Sequence, residues 1–311
     1  MRAVTTFVGL SVGWLLLAMT GAAVWLHYTA SRGTAAIYAT AAVPLALVSG
    51  AMAVIVFLGM QRWIALSLSV MALAGVVVTQ FPLWVSQNPP AGQRFTVVSA
   101  NLQLGLADVD DLSAIASDAD LVSLQEVTPE VLERILRSGL ADRFPYRYAR
   151  PAPLSVGAMI LSRAELRDTE RITGTAHLAA RTQLAGASEV AVLAVHPAAP
   201  MSGHAAEWSA DLAAVGGYLD NLATGPVIVA GDFNATLDHA QFRALLRNDV
   251  VDAATDSGSG YQLTYPTDKL GGIPLVGIDH ILIRGFGAVQ VTTRDLRGSD
   301  HRALIATLVA Q

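Results

Sequence analysis

The sequence places acids, amides and histidines beside short apolar runs, where strands are predicted to meet loops. The clearest case is GPVIVAGDFNAT, residues 225–236, in which Asp232 and Asn234 follow a strand-like run. Because side chains alternate along a strand, this acid and this amide are expected to point the same way, past the edge of the core. Such a pair could bind a ligand at the strand end, although Gly, Asp and Asn are also ordinary turn formers.

The same residue types recur at other predicted strand ends. They are Asn101 after TVVSA, Glu126 after LVSLQ, His196 after VAVLAV, Asp279 before HILI, and Asp300 with His301 before RALIATLV. Each of these residues alone is more often structural, as a turn former or a helix cap. Carboxylates and amides can bind a divalent cation, and histidine can transfer protons near neutral pH. So many together favour one shared site.

The composition divides the chain into two parts. Of the 311 residues, 53% are hydrophobic and 14% are charged, whereas an ordinary soluble domain carries about 25% charged residues. Residues 1–90 contain no Asp, Glu or Lys, and their only charges are Arg2, Arg32 and Arg62. The remainder has 17 basic and 25 acidic residues, a balance of −8, without a basic run typical of nucleic-acid binding. We predict a transmembrane region over 1–90 and a catalytic domain over 91–311.

Three apolar segments of the first part are long enough to cross a bilayer, which takes roughly 20 residues. They lie at about residues 7–26, 35–60 and 64–84. Pro44 falls inside the second segment, where a membrane helix tolerates it. Three spans from a short cytoplasmic tail predict an integral protein of the cell membrane with an extracytoplasmic catalytic domain. The arginine count on the two sides is tied, so orientation depends on that tail.

Strand-like and helix-like segments alternate after residue 90. Strands are predicted at 94–104, 120–127, 146–150, 156–162, 189–195, 227–230, 278–283, 288–293 and 302–308, and helices at 106–117, 129–138, 207–222 and 240–246. Thr128 and Pro129 supply an N-cap and a first-turn proline for one helix. So many strands do not suit a simple doubly wound sheet. We predict an α/β domain of two packed sheets flanked by helices.

Seven short blocks occur in a fixed order along this domain: SANLQ, LQEV, VGAMILSR, VHPAAP, GDFN, IDHIL and SDH. Together they resemble the signature blocks of the endonuclease/exonuclease/phosphatase superfamily, which includes deoxyribonuclease I, exonuclease III, sphingomyelinases and inositol-polyphosphate phosphatases. The resemblance covers nearly all of residues 94–309 and is closest to bacterial members with a hydrophobic N-terminal region. It implies a four-layered sandwich of two mixed β-sheets between helices.

Hydrolysis of a phosphoester requires a cation, because water must approach phosphorus against the negative charge of the phosphate. Mg²⁺ or Mn²⁺ is the expected cofactor, and one or two carboxylates with an amide suffice to hold Mg²⁺. Glu126 is the first expected ligand. The resemblance implies that Asn101 and Asp300 complete or support the same side.

The other strand-end residues are assigned to proton transfer and phosphate binding. His301 is the candidate base for the attacking water, with Asp279 holding its tautomer and orientation. Asp232 would position or deprotonate that water, and Asn234 would donate to a phosphate oxygen. His196 would hydrogen-bond phosphate or protonate the leaving group.

The sequence therefore predicts a membrane-anchored, metal-dependent phosphoester hydrolase, most simply a phosphodiesterase acting on nucleic acid or phospholipid headgroups. Proximity to the bilayer, acidic charge and short loops favour phospholipid, while the many nucleases of the superfamily favour nucleic acid. A groove lined by Arg143, Arg147 and Arg150 would indicate nucleic acid. The alternative is a non-catalytic membrane scaffold that retains only the fold. Nothing in the sequence indicates an obligate protein partner.

Overall fold

The computed structural model describes residues 2–87, 89, 91–201, 203–222 and 224–310. Internal contacts divide the chain into two compact units. The helical unit comprises the residues up to Pro82 together with Leu237–Ala240. The second unit comprises Leu83–Thr236 and the residues from Gln241 onward, and we call it the catalytic unit after the catalytic domain predicted from the sequence. The domain boundary predicted at Pro90 and the C-terminal residue Gln311 lie outside the described residues, so that boundary stays a prediction.

The helical unit is built from apolar helices. They are α1 (Arg2–Tyr28), α2 (Thr34–Ala41), α3 (Ala46–Gly59) and α4 (Trp63–Gln80), with 3₁₀ turns at Val43–Leu45 and Phe81–Trp84. Two stretches, Val4–Tyr28 and Trp63–Trp84, are long and apolar enough to cross a membrane without a break. Small residues allow close packing, since a Cβ on Gly13 would lie 2.8 Å from the ring of Phe57.

The second predicted span is not one straight helix. α2 and α3 are separated by the turn that contains Pro44, and they meet at a bend of 50°. Proline lacks a backbone N–H and its ring clashes with the preceding turn, which explains why α2 ends at Ala41. The expectation of one continuous helix over 35–60 is therefore wrong. Taken as one bent element, α2 and α3 would make a third span.

The segment Leu237–Ala240 places polar side chains within the helical unit. Oδ1 of Asp238 lies 2.7 Å from Nδ1 of His27 and accepts a hydrogen bond from Nε2 of Gln80 at 3.0 Å. Nε2 of His239 donates to the carbonyl oxygen of Ile37 at 2.9 Å. These four polar side chains are buried, and each has a partner inside the unit.

The catalytic unit contains two six-stranded sheets. Its strands are β1 (Arg94–Asn101), β2 (Leu121–Gln125), β3 (Tyr146–Arg150), β4 (Ala158–Ser162), β5 (Arg167–Ile172), β6 (His177–Leu184), β7 (Ala187–Val195), β8 (Val227–Asp232), β9 (Val251–Asp252), β10 (Asp279–Arg284), β11 (Phe286–Asp295) and β12 (Arg302–Ala310). The strand orders are β11-β12-β1-β2-β4-β3 and β5-β6-β7-β8-β10-β9. Both sheets are mixed, because β1 with β2 and β7 with β8 are parallel pairs among antiparallel ones.

Helices flank the two sheets. They are α5 (Val109–Ile115), α6 (Pro129–Leu136), α7 (Gly139–Arg143), α8 (Ala205–Asn221), α9 (Ala240–Arg243) and α10 (Ala253–Ser257). One core lies between the sheets and includes Val97 from the first and Val192 from the second. Another core joins the outer face of the first sheet to α5, α6 and α7. Trp208 of α8 is fully buried, and its indole N–H donates to the carbonyl oxygen of Phe233. This confirms the predicted α/β sandwich of two mixed sheets flanked by helices.

Candidate active site

The polar strand-end residues meet at one edge of the two sheets. The parallel strands contribute the residue that ends or follows each strand, namely Asn101 from β1, Glu126 from β2, His196 from β7 and Asp232 from β8. β10 and β12 run antiparallel to their neighbours β8 and β1, so they contribute residues at their starts, Asp279 and His301. The carboxyl ends of parallel strands are the usual place for ligands in α/β proteins.

Asp232 lies at the centre of this cluster and is buried. Its Oδ2 accepts a hydrogen bond from Nδ2 of Asn101 at 3.0 Å, and lies 3.5 Å from Nε2 of His196 and 3.6 Å from Nε2 of His301. Its Oδ1 accepts from the backbone N–H of Asn234 at 2.8 Å. Burial favours the neutral acid, but the charge of His301 and the hydrogen bond from His196 outweigh it and lower the pKa of Asp232 to about 2. At neutral pH Asp232 is therefore an anion that faces two histidines.

Asp279 and His301 form a buried hydrogen-bonded pair. Nδ1 of His301 donates to Oδ2 of Asp279 over 2.8 Å. Burial opposes a charge on the imidazole, but the carboxylates of Asp279 and Asp232 outweigh it and raise the pKa of His301 to about 10. Burial also raises the pKa of Asp279, against the opposing effect of His301. The pair fixes the tautomer of His301 and leaves its Nε2 facing Asp232.

Glu126 lies beside Asn101. Its Oε1 accepts from Nδ2 of Asn101 at 3.2 Å, and its Oε2 accepts from the backbone N–H of Leu104 at 2.6 Å. The backbone of Glu126 has a φ of 57°, a left-handed conformation that is strained for this residue type and that clusters at functional sites. Burial raises the pKa of Asp300, against the opposing charge of His301 and with a smaller contribution from the charge of Glu126. Asp300 is therefore close enough to His301 and Glu126 for their charges to interact.

His196 and Asn234 are held by the loops around the site. Nδ1 of His196 donates to the carbonyl oxygen of Ser155 at 3.0 Å, so its Nε2 faces Asp232. Burial disfavours a charged His196, but its contact with Asp232 raises the pKa of this imidazole. Nδ2 of Asn234 donates to the carbonyl oxygen of Pro197 at 3.1 Å. Asn234 therefore joins the loop after β8 to the loop after β7.

The charge of the site fits a divalent cation. Its acids outnumber its histidines, with Glu126, Asp232, Asp279 and Asp300 against His196 and His301. Carboxylate and amide oxygens are the ligands that hard divalent cations prefer. Ligand atoms of Asp232, Asp279 and His301 lie within 4.8 Å of one another, and Glu126 is hydrogen-bonded to Asn101 beside them. These side chains offer a suitable donor set.

Two residues next to the cluster had no assigned role in the sequence. The ring centre of Tyr265 lies 4.8 Å from that of His301. The Ser299 hydroxyl donates to the carbonyl oxygen of Asn101 at 2.7 Å and accepts from the backbone N–H of His301 at 3.0 Å. The position of Ser299 at the start of the SDH block was a usable signal. Tyr265 lies in a loop, where its type alone did not indicate a site.

His280 is adjacent to Asp279 in sequence but makes different contacts. Its Nδ1 lies 2.9 Å from Oδ2 of Asp252, and its Nε2 donates to the carbonyl oxygen of Ala235 at 2.9 Å. The ring of His280 also packs against Phe242. These contacts suit the packing role that strand alternation predicts for it.

Comparison with known proteins identifies the class to which this fold and site belong. Residues 98–301, more than half of the chain, match the Endonuclease/Exonuclease/phosphatase family. The chain belongs to this family, which confirms the resemblance and indicates a phosphoester hydrolase. No curated protein sequence matches the chain.

Solved structures of several proteins share the fold. A humanized TDP2 of D. rerio has a TM-score of 0.58 at 19% identity, covering 69% of this chain and 98% of that one. Sphingomyelinase C from Streptomyces griseocarneus has a TM-score of 0.55 at 18% identity, covering 70% and 99%. The 3'-5' exonuclease NExo from Neisseria meningitidis has a TM-score of 0.56 at 16% identity, covering 68% and 98%. At these identities the similarity shows the fold alone.

Proposed function

We propose that this protein is a phosphodiesterase that depends on Mg²⁺ or Mn²⁺ and acts on nucleic acid or phospholipid headgroups. The observation that supports it best is the convergence of the Asp279–His301 pair on Asp232 at the strand edge that also holds Glu126. A scaffold that kept only the fold would have no use for the strained backbone of Glu126 or for so many buried charges.

We propose that Glu126 binds the cation. Asn101 and Asp300 would complete or support the same side of the cation site. The hydrogen bond between Asn101 and Glu126 supports this placement, because it holds the two side chains in one place. When bound, the cation would neutralise the phosphate and stabilise the leaving oxygen. Asp279 and His301 suit proton transfer better than metal binding, since they are already hydrogen-bonded to each other.

We assign proton transfer to His301 and Asp232. Nε2 of His301 lies 3.6 Å from Oδ2 of Asp232, so a water held by Asp232 is within reach of Nε2. Asp279 would stabilise the imidazolium that forms when His301 takes the proton. The pKa of His301 is raised to about 10, which favours the protonated ring. A bound cation would lower that pKa and favour the form that can accept a proton. His196 and Asn234 would donate to phosphate oxygens.

The three arginines singled out in the sequence do not act together. Arg143 donates to the carbonyl oxygen of Ser113 at 2.6 Å, and Arg147 donates to that of Ala141 at 3.0 Å. Arg150 lines a separate cavity. A nucleic-acid groove formed by these three residues is therefore not supported, and the choice of substrate rests on other features.

We propose that the helices anchor the protein in the cell membrane with its catalytic domain outside the cytoplasm. Two unbroken stretches and one bent pair provide up to three spans by length and composition. An odd number of spans puts the termini on opposite faces. Reporter fusions after Gln311, one active only in the cytoplasm and one only outside, test this orientation. A cytoplasmic signal would reverse it.

The activity is tested with the full chain in detergent, on bis(4-nitrophenyl) phosphate as a diester and 4-nitrophenyl phosphate as a monoester. We expect diester hydrolysis with Mg²⁺ or Mn²⁺ and its loss when a chelator removes the metal. Glu126→Gln should abolish this hydrolysis, because it removes the anionic ligand at almost constant volume. Glu130→Gln, an exposed residue of α6, is the matched control. Unchanged turnover in Glu126→Gln would overturn the metal assignment.

A further inference from the structure

Large apolar side chains are exposed on the loops next to the catalytic cluster. Among the residues that the structure describes, those of the catalytic unit that are more than half exposed are Trp84, Leu106, Leu154, Met201, Ile273 and Leu275. All except Trp84 lie in loops that contact the cluster, and we call these five residues the apolar rim. Single exposed apolar side chains are common on protein surfaces, but a group of them at one place marks an interaction surface.

Two of the loops that carry the rim follow strands of the first sheet. Leu106 lies in the loop after β1, which donates a backbone hydrogen bond to Oε2 of Glu126 at 2.6 Å. Leu154 lies between β3 and β4, and the carbonyl oxygen of the next residue accepts from Nδ1 of His196 at 3.0 Å. Both exposed side chains therefore belong to loops that are fixed to catalytic residues.

The other two loops belong to the second sheet. Met201 lies in the loop after β7, which accepts a hydrogen bond from Nδ2 of Asn234 at 3.1 Å. Ile273 and Leu275 lie in the loop before β10, which also contains Tyr265, and the N–H of Leu275 donates to the carbonyl oxygen of Tyr265 at 2.8 Å. The ring of Tyr265 packs near the cluster. The apolar rim thus lies around a polar and charged centre.

The loops of the rim carry little charge. Three of the four segments, 102–107, 151–157 and 197–203, contain no Asp, Glu, Lys or Arg. The fourth, 266–277, contains one acidic and one basic residue. Burial of a charged group away from water is costly, so the lack of charge lets these loops enter a less polar environment.

The arrangement of the rim fits a lipid bilayer better than a protein partner. A protein interface has an apolar core and a polar edge, whereas the rim has its apolar side chains outside a polar centre. A bilayer accepts separate apolar side chains, because each can enter the boundary between headgroups and hydrocarbon. The polar centre would then face the headgroups.

Trp84 gives independent support for a bilayer. It belongs to the catalytic unit, yet it ends the apolar stretch Trp63–Trp84, which is long enough to cross a membrane. Its ring centre lies 5.7 Å from that of Tyr261, and a Cβ on Gly260 would lie 2.8 Å from the same ring. Tryptophan and tyrosine are enriched where membrane helices leave the bilayer. The loop that begins after Tyr261, and that carries two rim residues, would therefore start at the bilayer surface.

We propose that the apolar rim inserts into the surface of the lipid bilayer and holds the edge of the catalytic domain that bears the polar cluster against the headgroups. The expected depth is about 5 to 10 Å, as for other interfacial apolar groups. The rim would be a second attachment to the membrane, separate from the helices. This inference rests on the proposed membrane anchoring, but it does not depend on hydrolysis or on the identity of the substrate.

Fluorescence quenching by lipids tests the insertion. The chain contains no cysteine, so single-cysteine variants of the full chain can each carry one environment-sensitive fluorophore. Leu154→Cys and Ile273→Cys report on the rim, and Met71→Cys, on an exposed position of α4, reports on the proposed span. Tyr146→Cys is the control, because this exposed residue of β3 lies at the end of its sheet opposite Glu126. Each variant is reconstituted as one chain per nanodisc in phosphatidylcholine with a quencher near the headgroups or near the bilayer centre.

We expect the rim labels to be quenched most by the quencher near the headgroups, the Met71→Cys label most by the quencher at the centre, and the Tyr146→Cys label by neither. Quenching at Met71→Cys alone would overturn the insertion of the rim and keep the anchoring. Quenching at the rim alone would keep the insertion and remove the anchoring. Equal quenching of the rim and control labels, or a blue shift of the rim labels without quenching, would also overturn the insertion, the latter because it indicates contact with protein.

Charged variants test whether the apolar side chains cause the insertion. Leu106→Asp and Ile273→Asp are combined with the Leu154→Cys label, and we expect most of its quenching to be lost. Tyr146→Asp with the same label is the matched control and should leave the quenching unchanged. An unchanged melting temperature shows that the exposed substitutions leave the fold intact. Full quenching in the Leu106→Asp, Ile273→Asp variant would overturn the role of the rim.

Discussion

The buried polar groups of the two units differ in whether they have hydrogen-bond partners within the protein. In the helical unit they pair with one another, as Asp238 does with His27 and Gln80, and as Thr20 does with Ser49 at 2.9 Å. Among the described residues, no buried side-chain atom of that unit lacks a partner. In the catalytic unit, Oδ1 of Asp279 and Nε2 of His177 have no partner among the described residues.

The proposed insertion of the helical unit in a membrane would explain this difference. In a bilayer an unsatisfied polar group has no water to replace its partner, so side chains among membrane helices must satisfy one another. The catalytic cluster instead keeps carboxyl groups close together, such as those of Asp232 and Asp279, whose oxygens lie within 4.8 Å of each other. A cation and a phosphate would complete that cluster. We infer that the buried polar groups of the helical unit are structural, whereas those of the catalytic cluster are functional.

Among the variants that test this inference, Asp232→Asn is expected to have the largest effect on turnover. Asp232 contacts Asn101, His196 and His301 through a single oxygen. Its neutral replacement should lower turnover by about 10⁴-fold at saturating metal, because the anion at the centre of the cluster is lost. Turnover is measured above a background rate obtained without enzyme. A normal melting temperature shows that the fold is intact.

A double-mutant cycle tests whether Asp232 and His196 act as one unit. His196→Ala alone should reduce turnover strongly, and adding it to Asp232→Asn should reduce it far less, because residues that act together are not additive. Asn234→Ala should fall between these variants, at roughly 10² to 10³. If the losses of turnover caused by Asp232→Asn and His196→Ala were fully additive, the two residues would act in separate steps of the reaction. The assignment of both residues to a single site would then be withdrawn.

The next largest effect is expected from His301→Ala. Removal of a general base typically lowers turnover by about 10² to 10⁴, with less effect on KM. His204→Ala is the control, because His204 is exposed and paired with Glu207. If His301→Ala changed KM alone, His301 would bind the substrate rather than transfer its proton.

Much of the fold and of the site arrangement could be predicted from the sequence. Apolar runs marked most strands, and strand ends marked the residues that meet at the shared edge. β5 was missed because RDTERI is charged and exposed except at Ile172, as an edge strand can be. β6 was missed because HLAARTQL buries small alanines rather than β-branched residues. The period-two signal is weak in both.

Contacts made by loops were outside the reach of sequence patterns. Tyr265 packs near His301 only because the loop between α10 and β10 folds back onto the site. The ring of His177 packs so close to Gly174 that a Cβ on residue 174 would lie 2.4 Å from it. The pairing of Asp238 with His27 joins residues more than two hundred positions apart. Such contacts are set by tertiary packing and not by local spacing.

Asp238→Ala is expected to have the smallest effect of these variants. Its outcome is also the most direct test of the difference between the two units. This change leaves Nδ1 of His27 and Nε2 of Gln80 without their shared acceptor oxygen. Loss of a hydrogen-bond acceptor from a buried group typically lowers the free energy of unfolding by about 1 to 3 kcal/mol. We therefore expect a lower melting temperature in detergent, with turnover of the folded protein unchanged.

The control for that change is Asp118→Ala, an exposed acid of the catalytic unit, which should alter neither property. Asp238 follows the GDFN block by only a few residues, so a functional role for it is a fair competing explanation. One pair of measurements distinguishes the two explanations. Substitution of a structural residue lowers the melting temperature, whereas substitution of a functional residue lowers turnover. A fall in turnover at an unchanged melting temperature would show that the polar groups of the helical unit serve the reaction, and the division between structural and functional burial would then fail.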